Sequence, residues 1–149
     1  MPWVKTAEIK AEQEKEGMGS ALAMSSDGTT IAIGSENWDD WPYWGTDNHD
    51  YNDGRVSIYE KNGSSWVKTG EITGEIVANS VKNQEKEGMG SALAMSNDGT
   101  TIAIGSQNWD DWQKHGYKSH DFNDGRITIY KKNGSSWVQT GEIKAEQHK

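Results

Sequence analysis

The chain has 149 residues, a formal net charge of -8, 32% hydrophobic residues and no cysteine. These values exclude disulfides and thiolate metal sites, and the acid excess argues against nucleic acid and anionic membranes as partners. No stretch approaches the ~18 consecutive apolar residues of a membrane-spanning helix, and Met1-Pro2-Trp3-Val4-Lys5 shows no signal peptide. Leu, Ile, Val and Phe together number 20, a composition more usual in disordered chains. The 8 Trp and 5 Tyr, with apolar residues in regular short runs, instead indicate a thin core built from short strands.

In chain order, residues 1–16 open with Trp3–Ile9, which matches Trp66–Ile72 and Trp137–Ile143 and reads as an extra outer strand followed by a linker. A first unit, 17–72, holds four predicted strands. Ser20–Ser25 carries small and apolar residues, and Asp27-Gly28 is a tight hairpin signal. Thr30–Gly34 alternates, with Ile31 and Ile33 on one face. After a long polar loop, Arg55–Tyr59 places Val56 and Ile58 on opposite sides from Ser57 and Tyr59. Asn62-Gly63 predicts a second hairpin turn, and Trp66–Ile72 a fourth strand. A linker over 73–87 leads to a second unit, 88–143, and a tail over 144–149. The second unit repeats the first at a constant offset of 71, and 43 of the 56 aligned positions are identical. No segment has a capped 3.6-residue period, so the chain is expected to be all-β.

Four antiparallel strands repeated in tandem define a β-propeller blade. Gly17-Met18-Gly19-Ser20-Ala21-Leu22-Ala23, then Asp27-Gly28, Ile31-Ala32-Ile33-Gly34-Ser35, Gly54-Arg55-Val56-Ser57-Ile58-Tyr59 and Trp66 resemble the FG-GAP type of propeller repeat. Met18 and Met89 stand where that family has Phe, and Ser35-Glu36 and Ser106-Gln107 stand where it has Ala-Pro. The resemblance implies blades like those of integrin α-subunits and of many bacterial surface proteins. It says little about function, because propellers host many. The acidic, Gly-rich, Cys-free composition, common on cell surfaces, gives a secreted or cell-surface setting as the expectation. The family binds calcium through an Asp-rich first hairpin. Here that hairpin is Ser-Ser-Asp-Gly-Thr or Ser-Asn-Asp-Gly-Thr, too poor in ligands for the same site.

Propellers have about four to eight blades, so two blades are expected to complete a ring by association with copies of themselves, as a trimer or alternatively a tetramer. Nine predicted strands exceed the eight that two blades need, so Trp3–Ile9 and Trp137–Ile143 cannot both close one blade.

The connections between second and third strands are long and differ between units, which makes them the expected recognition surface. Their flanks keep Asn37-Trp38-Asp39-Asp40-Trp41 and Asn108-Trp109-Asp110-Asp111-Trp112. Tryptophan faces stack on sugar rings and carboxylates accept hydroxyl bonds. Trp38, Asp39, Asp40, Trp41, Trp44, Trp109, Asp110, Asp111 and Trp112 are therefore the candidate ligand-binding residues. The competing reading is that the tryptophans fill gaps between blades. Asp47, Asp50 and Asp53 form an oxygen-rich run suited to calcium, with solvated turn acids as the alternative. His49 and His120 lie beside Asp50 and Asp121, yet no nucleophile motif accompanies them, so no enzyme is expected. The sequence thus points to a binding module, lectin-like or adhesin-like, recognising glycan or protein. The alternative is a structural, engineered or excised self-assembling unit without a ligand.

Overall fold

A computed structural model describes residues 2–13, 16–38, 54–74, 88–109 and 125–145. These residues contain eight strands and no helix: β1 (Met18–Met24), β2 (Thr30–Ser35), β3 (Arg55–Asn62), β4 (Ser65–Thr73), β5 (Met89–Met95), β6 (Thr101–Ser106), β7 (Arg126–Asn133) and β8 (Ser136–Lys144). They form two four-stranded antiparallel meanders, β1-β2-β3-β4 and β5-β6-β7-β8, each with the strand order of a propeller blade.

The strands run longer than the sequence suggested, because polar residues continue the ladders beyond the apolar alternation. β3 extends to Asn62, which pairs with Ser65. The hairpin therefore turns on Gly63-Ser64, one residue later than Asn62-Gly63. Gly63 has φ 61°, the left-handed conformation that two-residue hairpins need at their first central position. In the first hairpin, Asp27 does the work of the turn. Its Oδ1 accepts from Ser25 Oγ at 2.7 Å, Thr29 Oγ1 at 2.8 Å and Thr29 N at 3.0 Å. Asp98 repeats the arrangement with Ser96 and Thr100.

The expected ninth strand is absent: Trp3–Ile9 forms no strand, and Trp3 and Val4 are fully solvated or nearly so. The outer position that its sequence fits is filled in each sheet, by β4 and by β8.

The core lies between the sheets, with β5 packed on β1 and β2. Period-2 alternation gives each sheet two faces. Ala32, Val56, Ile58 and Ile72 line one face of the first sheet, and the register sets them side by side: Ala32 opposite Ile58, Val56 opposite Ile72. They meet Met89, Ile102 and Ile104, with Leu93, Met95, Tyr130 and Trp137 partly buried around them, from the second sheet. Gly34 explains how closely the backbones approach. A Cβ there would lie 2.1 Å from the carbonyl oxygen of Gly90. The turn tips also touch: Ser26 N donates to Asn97 O at 2.9 Å.

Candidate functional site

Antiparallel connectivity puts the β1–β2 and β3–β4 turns at one end of each sheet. The β2–β3 and β6–β7 connections are at the other. At that second end the structure builds a fixed root for each long connection. Trp38 N donates to Ser35 O at 3.1 Å, and Gly54 N donates to Trp38 O, also at 3.1 Å. Gly74 N then donates to Gly54 O at 3.0 Å, tying the root to the exit of β4. The second blade repeats this through Trp109 N to Ser106 O, Gly125 N to Trp109 O and Ala145 N to Gly125 O. Trp38 with Gly54, and Trp109 with Gly125, the residues that flank 39–53 and 110–124, are thus each joined by a backbone hydrogen bond.

A charged knot stands beneath the first root. Arg55 begins β3 with its side chain only 4% exposed. Its Nη2 donates to Glu16 Oε1 at 2.6 Å, and its Nη1 to Glu12 Oε2 at 3.0 Å. Glu16 Oε1 also accepts from Ser35 Oγ at 2.7 Å, while Glu16 Oε2 accepts from the backbone N–H of Gln13 and Glu12. The guanidinium carbon sits 5.1 Å from the Trp38 ring centroid, a cation–π distance. Lys68 completes the network against Glu71 and Glu12. Burial alone would raise the Glu16 pKa, but the bonds from Ser35 and Arg55 win and hold its carboxyl below the usual range. Hydrogen bonds from Arg55 and Lys68 likewise lower Glu12.

In the second blade Arg126 lies 4.9 Å from the Trp109 ring centroid, and Lys144 Nζ 4.8 Å. Arg126 Nη1 is 3.6 Å from Glu142.

Of the predicted ligand residues, the structure places two. Trp38 is buried under Arg55, and Trp109 is half-buried beside two cations. Both have ring contacts within the chain itself. Asp39, Asp40, Trp41, Trp44, Asp110, Asp111 and Trp112 lie outside the described residues, as do the calcium candidates Asp47, Asp50 and Asp53. Among the described residues no group of three acidic or histidine side chains could hold a metal ion.

Sequence reasoning missed Arg55, Arg126 and Glu16. A usable signal existed: Gly-Arg opens a strand of buried alternation in both units, and a buried arginine demands a carboxylate. The repeated Glu-Lys-Glu-Gly supplies one.

No protein-family model matches the chain, and no curated protein matches its sequence. Among solved structures it is similar to the periplasmic gluconolactonase PpgL of Pseudomonas aeruginosa, with 13% identity and a TM-score of 0.44. That match covers 84% of this chain and 27% of the gluconolactonase. The chain therefore spans only about a quarter of that protein's length. Class is defined by the two meanders themselves: an all-β chain of two propeller-type blades.

Proposed function

We propose that this chain is a non-enzymatic binding module, and that residues 39–53 and 110–124 recognise a glycan. The observation that supports this most is the pinned root. A backbone bond joins Trp38 to Gly54, and another joins Trp109 to Gly125. Behind these roots stand two nearly identical blades, whereas the stretches in front of them differ in sequence. A scaffold held constant beneath variable connections is the arrangement by which rigid folds carry recognition. The stretches bring Asp39, Asp40, Trp41 and Trp44 from one blade and Asp110, Asp111 and Trp112 from the other. Aromatic faces for sugar rings and carboxylates for hydroxyls are thereby supplied twice. Trp38 and Trp109 serve as root residues in this reading, so stacking falls to Trp41, Trp44 and Trp112.

Burial of Trp38 under Arg55 favours a second reading, in which the repeated tryptophans are structural and the chain is an assembly unit without a ligand. A glycan array separates the two. Binding is expected, and Trp41→Ala or Trp112→Ala should weaken it by about tenfold, corresponding to ~1.4 kcal/mol, with the circular dichroism of the fold unchanged. An array blank for the folded chain, or binding indifferent to both substitutions, defeats the glycan reading. Chelator treatment of the same array tests calcium at Asp47, Asp50 and Asp53. Signal lost with chelator and regained with calcium supports a calcium-dependent site.

A further inference from the structure

We propose that a second copy of this chain seats the outer face of its first sheet, through β1, on the open face of the second sheet, repeating between chains the contact that β5 makes within one. This rests on the sheets alone and not on the glycan reading.

Inside the chain the sheets meet mainly through β5, which packs on β1 and β2. The equivalent strand of the first sheet, β1, is open on its outer face, although Ile33 and Tyr59 beside it are already covered, at 4% and 8% exposed. The face that the first sheet buries reappears on the second sheet with one change, Ile127 for Val56; Ile129 and Ile143 repeat Ile58 and Ile72. Yet Val56 and Ile72 are 0% and 6% exposed, whereas Ile127 and Ile143 are 42% and 57% exposed. Conversely, Leu93 and Met95 pack into the core, while their counterparts Leu22 and Met24 on the outer face of the first sheet are 58% and 51% exposed. The two halves of a working interface thus recur with apolar side chains turned to water, along β1 on the first sheet and along β7 and β8 on the second, a state that association relieves.

The glycines of the two faces correspond as well. Gly70 leaves room for Trp137, whose Nε1 would stand 2.7 Å from a Cβ at that position. Gly141 is the same residue of the second sheet, and an added Cβ there would meet only its own Ile129, at 3.5 Å. It is a vacant seat, shaped for Trp66 of the second copy. Gly34 lets Gly90 approach, and Gly105, its counterpart, would admit Gly19 of the second copy in the same way; nothing lies within 4 Å of a Cβ at Gly19 in the single chain.

One ion pair does not carry over. Within the chain Lys132 Nζ meets Glu60 Oε1 at 2.9 Å. Between chains the equivalent positions are Lys61 and Lys131, two like charges. The contact is therefore weakened at that corner. Added salt should strengthen assembly, and Lys131→Glu should tighten it roughly fivefold.

Because two different faces meet, the contact is head-to-tail, and each added copy offers another free face until a ring closes. Sedimentation and light scattering of the full chain test this. Wild type should exceed its 16.5 kDa monomer mass. Leu22→Glu and Ile127→Glu should each be folded monomers by circular dichroism. Mixed in equal amounts they should form a dimer and stop there, because one intact face remains on each. Gly141→Ala, which keeps an ordinary contact inside the chain, should also lose assembly. A wild-type monomer at high concentration, a single-face variant that still self-associates, or a mixture that stays monomeric would each overturn the proposal.

Discussion

Gly34→Ala should cost the folded chain about 3 kcal/mol, at the upper end of the usual range for overpacking. The methyl group would sit 2.1 Å from Gly90 O, with the Gly90 carbonyl carbon at 3.0 Å and its Cα at 3.3 Å. All three are backbone atoms, so no side chain can rotate away. The two sheets must separate instead, and their separation loosens the packing of Ala32, Val56 and Ile58 against Ile102 and Ile104. Thermal melting should fall by roughly 10 °C for a chain of this size. Gly105→Ala at the matching position is the control. Its nearest neighbours would be Ala92 of the same sheet, with Cβ at 3.2 Å and the backbone O and N at 3.5 and 3.6 Å, none as close as Gly90 O is to Gly34. At dilution it should lose under about 1.5 kcal/mol. Equal losses from both substitutions would refute the close approach of β2 to Gly90.

Glu16→Ala should lose about 3 kcal/mol in urea denaturation, the lower end for a broken buried ion pair. Glu16 is fully buried and Arg55 is 4% exposed. Removing the carboxylate takes from the buried guanidinium its shortest partner and leaves the buried Ser35 hydroxyl without its acceptor. Glu12 and Glu71 remain within reach of Arg55 and limit the damage. Replacing Glu16 and Arg55 together with leucines should cost less than Glu16→Ala alone, because no charge is then left buried. The same knot sets an acid limit. The Glu16 carboxyl titrates below its ordinary value of 4.5 in the folded chain. The folded state therefore binds that proton more weakly than the unfolded state does. Its contribution is complete above about 4.5 and disappears as pH falls through the lower folded value. Glu16→Gln should flatten this acid limb of the stability curve. An unchanged limb would assign acid loss to other carboxylates.

Much of the architecture was legible because it depends on local rules. Alternation in Ile31-Ala32-Ile33 and Val56-Ser57-Ile58 identified strands, and Asp27-Gly28 placed the first turn correctly. The second turn was misplaced by one residue. Asn-Gly usually occupies both central positions, but here the ladder claims Asn62 for its pair with Ser65. Trp3–Ile9 reads as a strand through its likeness to β4 and β8. Sequence records that three segments suit an outer position, not that each sheet has only one. For the Arg55–Glu16 knot each partner carries a signal, but the pairing does not. The two residues are 39 apart, and only the topology brings them together. Gly34 was visible as a glycine inside a strand, a sign of close approach, without any hint that Gly90 was what approached.

The twinned strands carry a kinetic consequence. β1 and β5 have the same seven residues, β2 and β6 the same six, and β4 differs from β8 only at Lys68/Gln139 and Thr73/Lys144. A refolding chain therefore offers every strand two berths of nearly equal energy, so errors of registry by one whole blade are hardly penalised. Neighbouring molecules multiply those berths. Native yield on dilution from denaturant should drop as protein concentration rises, with strand-exchanged dimers as the by-product. A yield independent of concentration would show that the few differing residues suffice to sort the strands.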